Sequence, residues 1–254
     1  MKKIIIASMI YLFTANYTKA QQVFIDKANI EFEVKSNTKK NMGSGNWAEQ
    51  MGDKLPTFKT EYYNFTFADN KSIYKFDRLA EKEKYPDWMR SENKNSWFTD
   101  YTTGKQSIEK DLIGSMFNIE DSMPKLEWRI INENRVIAGF NCKKAVTKIF
   151  DSVYVFAFYT DEIMISGGPN SINGLPGMIM GLTIPRLFTS WIATKVSVNG
   201  VDASIIKPAV AKKAYNNESL KKFITERTSE WWQGDDATDD QKQQKARFIW
   251  GMLM

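Results

Sequence analysis

Hydrophobic and polar residues alternate along much of the chain. Over residues 23–35, Ala28, Ile30, Phe32 and Val34 share one face and Asn29, Glu31, Glu33 and Lys35 the other, the period of a half-buried strand. Aromatic-rich alternating runs at 61–67 and 72–76 flank Asp69-Asn70, and 97–101 and 105–112 flank Thr103-Gly104, so each pair predicts a hairpin. A third is predicted from 128–131 and 136–150 around Asn132-Glu133-Asn134, and a fourth from 192–198 and 201–206 around Asn199-Gly200. The run 153–159 is apolar on both faces, which predicts a strand inside the sheet rather than at its margin. Hairpins that follow one another without crossover helices predict a mainly β fold: a strongly curved antiparallel sheet or open barrel of eight or more strands.

The pattern changes near the end. Leu220, Phe223, Ile224 and Trp231 fall on one helical face behind Asn217 as cap. A second helix is predicted from the capping box Thr238/Gln241, with Ala246, Ile249, Trp250 and Leu253 as its stripe. The expected organisation is an antiparallel β domain over 21–210 and a helical segment over 211–254 packing on it.

Residues 1–20 stand apart. Lys2-Lys3, an apolar run over 4–13 and Thr18-Lys19-Ala20 before Gln21 are the three parts of a secretory signal peptide, and the run is too short for a membrane anchor. No cysteine follows the expected cleavage point, so no lipid anchor is expected. The net charge of +5 includes Lys2, Lys3 and Lys19, which leaves +2 on the remainder and gives no reason to expect a nucleic-acid partner.

Composition narrows the chemistry. There is no histidine, which excludes Ser-His-Asp and Cys-His catalysis and His-ligated zinc. Cys142, the single cysteine, excludes an intramolecular disulfide and reads as a small buried hydrophobe. Residues 36–56 form a polar loop containing Met42, Trp47 and Met51, read as a short helix folded on the body, with a soft-metal (copper) site built on thioethers as the alternative. The stretch 79–95 is charge-rich and reads as a solvated helix and loop interrupted by Tyr85-Pro86.

The chain is organised around Tyr159-Thr160-Asp161-Glu162-Ile163, then Ser166-Gly167-Gly168-Pro169, then Gly174-Leu175-Pro176-Gly177-Met178-Ile179-Met180-Gly181-Leu182. Two Gly-Pro clusters so close together mark a place where backbone shape matters, and the stretch reads as a shaped loop carrying Met178, Ile179 and Met180 back into a core. With Trp128, Gly139, Cys142 and Lys144-Ala145 upstream, it resembles the signature of the GLPGLI family, exported proteins of Gram-negative bacteria. The likeness covers about residues 23–182; Met178-Ile179 stands for the Leu-Ile of the name, and Phe158 where Trp is more usual. The resemblance implies a location, the periplasm or outer-membrane periphery, and a loop shape. It implies no established activity.

Other constellations are weaker. Adjacent strand residues point to opposite faces, so Asp161 and Glu162 are not a glycosidase pair. Gly167-Gly168-Pro169 lacks the Lys-Ser/Thr of a phosphate loop. Asp235-Asp236 and Asp239-Asp240 lack the spacing of a calcium loop and have a dipole reason to precede a helix. Trp88, Trp97 and Trp128 have polar neighbours and are candidates for half-exposed aromatics. The expectation is a non-enzymatic binding or interaction module, with no catalytic residue, metal or cofactor, and with an apolar, peptidic or protein partner in the envelope. Its binding residues are expected at Phe156, Phe158, Gly168, Pro169, Gly174, Leu175, Pro176, Gly177, Met178 and Met180. A hydrolase using Asp or Glu is the enzymatic alternative.

Overall fold

The structure, a computed structural model, describes residues 24–43, 50–52, 54–81, 85, 94–209, 214–229 and 238–254. The predicted signal peptide, Trp47, Trp88, Trp231 and Asp235-Asp236 lie outside the described residues.

Among the described residues the strands form one mainly antiparallel, unclosed sheet of eleven. In chain order they are β1 (Ala28–Asn37), β2 (Phe58–Ala68), β3 (Lys71–Leu79), β4 (Ser96–Asp100), β5 (Lys105–Leu112), β6 (Ser115–Ser122), β7 (Arg129–Ile137), β8 (Phe140–Ile149), β9 (Val153–Thr160), β10 (Met178–Ile184) and β11 (Thr189–Ser197). Their spatial order is β6-β5-β4-β3-β2-β1-β11-β10-β9-β8-β7. Two meanders are thus joined along β1 and β11, and the margins β6 and β7 are neighbours in sequence. Both wings share one core: Ile108 and Ile119 at one end, Phe32 and Phe65 between, and Val153, Val155 and Ala157 at the other belong to one buried cluster. The sheet is therefore strongly curved, and each fully buried large side chain adds about 1.5–3 kcal/mol to the drive that bends it. Tyr63, Tyr74 and Trp97 stack through the interior at centroid distances of 4.9 and 5.4 Å.

Helices among the described residues pack on the sheet. The short α1 (Thr38–Met42) is capped by Asn37, whose Oδ1 accepts from Lys40 N at 2.9 Å. Its Met42 packs with Met51 and Leu79 against Leu55 and Tyr85, so both thioethers serve a small apolar cluster. The second helix, α2 (Asn217–Arg227), buries Leu220 and Ile224, and its Phe223 ring lies 5.1 Å from Phe117. Its cap is Asn216, one residue earlier than the periodicity suggests. The third, α3 (Asp239–Leu253), begins with the expected Thr238/Gln241 capping box, and Ile249, Trp250 and Leu253 pack on the core.

Two predicted hairpins are corrected. Asn132-Glu133-Asn134 is not a turn: β7 runs through it with an irregular register between Ile131 and Asn134, and the chain reverses at Ala138-Gly139, where φ is 49° and 87°. A polar triplet is tolerated there because β7 is a marginal strand with one side unpaired in the sheet. Asn199-Gly200 is followed by a 3-10 turn, Ala203–Ile205, and not by a partner for β11. Both sides of β11 are already taken by β1 and β10, so no ladder is free. Strand β6, which the sequence reading missed, follows a tight turn at Ile113-Gly114 and turns Phe117 and Ile119 inward.

Candidate functional site

The segment between β9 and β10 is packed into the concavity of the sheet, with Ile163, Ile165, Ile172 and Leu175 in the core. Its glycines permit close backbone approach. A Cβ on Gly167 would collide with the Tyr101 hydroxyl, and one on Gly177, where φ is 140°, would collide with the Thr160 carbonyl oxygen. Side chains then tie the loop: Ser166 Oγ donates to Leu175 O at 2.7 Å, and Trp128 Nε1 donates to Asn173 O at 2.8 Å.

Inside this loop lies a strained turn. Asn170 and Ser171 both adopt left-handed φ (53° and 57°), which costs a non-glycine residue about 1–2 kcal/mol. Asn170 Nδ2 donates to Met254 O at 3.3 Å, and Asn173 Nδ2 donates to Ser171 O at 2.8 Å. The Ser171 side chain is buried, and its hydroxyl has no hydrogen-bond partner among the described residues. Paired left-handed residues also form the Asp69-Asn70 hairpin turn, so what sets this turn apart is the buried, unpaired Ser171 hydroxyl within it.

That turn forms one wall of a cavity of about 690 Å³. Gln106 and Ile108 of β5 line another wall, Ile149 and Phe150 the end of the β8–β9 hairpin, and Leu126 and Leu253 the remaining sides. By area the lining is mainly apolar, and among its polar side chains Gln106 is only 5% exposed, with an Oε1 that has no partner among the described residues. The rim carries Lys148, Lys221, Asp151 and Glu218, all exposed and balanced in formal charge. A cavity of this size falls within the range of small-molecule sites, about 300–1,000 Å³.

Two further groups sit deeper. Lys110 is buried, its Nζ donates to Met252 O at 2.7 Å near the end of α3, and burial pushes its amine down to about 7. Cys142 is fully buried, and burial pushes its thiol up to about 11, so it is a packing residue and not a nucleophile. The carboxylate of Asp161 pairs with Lys143 at 2.7 Å, whose hydrogen bond lowers its pKa, and Glu162 accepts from Asn141 N. These two acids secure strand ends.

The sequence-predicted binding residues occupy three environments. Met178, Met180 and Leu175 are buried in the core, with Gly168, Pro169 and Gly177 buried beside them. Gly174 and Pro176 are exposed at the loop's outer edge. Phe156 and Phe158 lie on the face of β9 opposite Val155 and Ala157, with the Lys144 ammonium 5.7 and 5.8 Å from their ring centres and Arg135 4.6 Å from that of Phe158. None of these ten lines the large cavity; their loop neighbours Asn170, Ser171 and Ile172 do. Trp97 is buried in the aromatic stack and Trp128 is half-buried against the loop. Gln106 escaped the sequence reading, although a Gln and a Lys on the apolar face of strand 105–112 were a visible signal.

A family model described as a protein of unknown function (Porph_ging) matches residues 147–181. The match runs from the end of β8 through β9 and the whole loop to β10. Two solved structures of PNGF-II, in the C2 and P21 space groups, share the fold at a TM-score of 0.50 and 15% identity. They are matched over 80% and 78% of this chain, which spans only 33% of theirs. No curated protein matches the sequence. Among the described residues no helix is long and apolar enough to cross a membrane.

Proposed function

We propose that this chain is an exported cell-envelope protein of the GLPGLI type that binds an apolar ligand carrying a small hydrogen-bonding group, without catalysing a reaction. The observation that carries this reading is the 690 Å³ cavity, whose largely apolar surface adjoins two buried, unpartnered polar atoms, Gln106 Oε1 and Ser171 Oγ. Both oxygens have almost no accessible surface, so a ligand meets them only as the adjoining side chains shift, and one that supplies the missing partners then recovers the about 1–3 kcal/mol that an unpaired buried polar group costs. The balanced rim favours a ligand without large net charge. Export rests on the signal-like residues 1–20 and on the resemblance.

The test is native mass spectrometry of the protein purified from the envelope of its own cell by gentle extraction. A co-purifying apolar mass that disappears on denaturation is expected. A clean ligand-free mass across several extraction conditions contradicts the reading.

One observation favours a second reading, hydrolysis by carboxylates: Asp151 and Glu218 line the same cavity. Both are exposed at the rim, which suits ligand entry better than the desolvation that general acid catalysis needs.

A further inference from the structure

A second cavity, about 390 Å³, lies across the Asn170–Met254 contact, and those two residues line both spaces. Leu187, Thr189 and Trp191 form its sheet side, and the last turns of α3 its other side. Three features of α3 are unexplained by folding. The Nε of Arg247 is buried without a hydrogen-bond partner, and its guanidinium makes no ion pair among the described residues. Arg247 is also the one charged side chain in the lining, where the other polar side chains are Asn41, Asn170, Gln244 and Thr189 and the backbone end of Met254 is held by Asn170. Gly251 sits within the helix although a Cβ there would meet nothing within 4 Å. Glycine inside a helix costs about 0.5–1 kcal/mol relative to alanine, and this exposed glycine borders the cavity, where a larger side chain would enter the open space.

We propose that this second cavity binds a carboxylate with an apolar body, the carboxylate meeting Arg247 and the body lying against Leu187, Trp191 and Met252. A guanidinium fork matches the planar carboxylate, and the Phe188 ring, 5.5 Å from Cζ, helps hold it. One cation neutralises one negative charge, whereas a doubly charged phosphate in an apolar space would keep an unpaired charge. The site does not depend on occupancy of the larger cavity.

The test is isothermal titration of the full chain with octanoate, using octan-1-ol and inorganic phosphate as comparison probes. Wild type is expected to bind octanoate saturably at one site. Arg247→Met weakens it about ten- to a hundredfold, the loss of one charge-assisted pair. Gly251→Leu, which fills the space, abolishes binding, while Gly251→Ala keeps the fold and raises the melting temperature. Octan-1-ol binding is insensitive to Arg247→Met, and phosphate does not compete. Absence of saturable octanoate binding, or equal binding by wild type, Arg247→Met and Gly251→Leu, overturns the proposal, as does competition by phosphate. If Gln106→Leu and Ser171→Ala abolish octanoate binding while Arg247→Met does not, octanoate occupies the larger cavity. The second site is then refuted and the reading of the first stands.

Discussion

Gly177 is the position where the loop's shape depends most on one missing atom. Substitution by alanine places a Cβ at φ 140°, a conformation that costs a side-chain-bearing residue about 1–3 kcal/mol, and drives it into the Thr160 carbonyl oxygen. That oxygen belongs to the end of β9, where Thr160 pairs with Met178 of β10, so it cannot swing aside as a flexible side chain would. Relieving the overlap by shifting packed backbone adds about 1–3 kcal/mol, for a total of about 4 kcal/mol. Two controls separate the causes. Gly104 also has positive φ (68°) but faces open space, so Gly104→Ala carries only a left-handed penalty of about 1–2 kcal/mol. Gly174, at φ 92°, has its nearest neighbour, Trp128 Nε1, at an ordinary 3.5 Å and is expected to behave similarly. Urea unfolding followed by tryptophan fluorescence reads all three as midpoint changes at constant slope. A Gly177→Ala loss no larger than that of Gly104→Ala refutes the claim that close packing against β9 shapes the loop.

Other consequences follow from single groups. Lys110 holds its proton less tightly when folded (about 7, against an ordinary 10.5), so between pH 7 and 10 the unfolded chain binds more protons and stability rises with pH. Lys110→Met should remove that rise in a series of urea melts, and an unchanged slope contradicts the burial argument. Above pH 10 the buried phenols of Tyr63 and Tyr101, whose pKa values burial raises, oppose it. Trp128→Phe removes the bond to Asn173 O and is expected to cost about 1 kcal/mol in the same assay, against no change if that bond is dispensable. Cys142, with its thiol near 11 and no exposed surface, should react with a thiol reagent at pH 8 only at the rate of global unfolding; fast labelling of the native protein refutes its burial.

Much of this fold is legible in the sequence, for reasons visible in particular residues. The alternation from Ala28 to Val34 and the turns at Asp69-Asn70 and Thr103-Gly104 are local signals, and the strands form where they point. Asn199-Gly200 misleads because pairing also needs a free strand side, and β1 and β10 occupy both sides of β11. That competition is long-range and has no trace within six residues of the turn. The loop glycines declare that backbone approaches closely, and Gly167, Gly168 and Gly177 do so. What they do not declare is which neighbours borrow the space, and here Asn170, Ser171 and Ile172 meet Gln106 from a strand sixty residues earlier. An inward Gln or Lys on an apolar face is a readable warning of a site, and Gln106 and Lys110 both carried it.

The proposed apolar ligand of the larger cavity is open to direct measurement. The most direct test is a titration of purified, delipidated protein with the apolar fluorophore N-phenyl-1-naphthylamine, beside the Leu126→Trp variant, which narrows the cavity at its half-buried wall. Saturable enhancement for wild type, lost in Leu126→Trp with unfolding midpoints preserved, is the predicted result. Equal enhancement for both proteins, or none for wild type, contradicts the account.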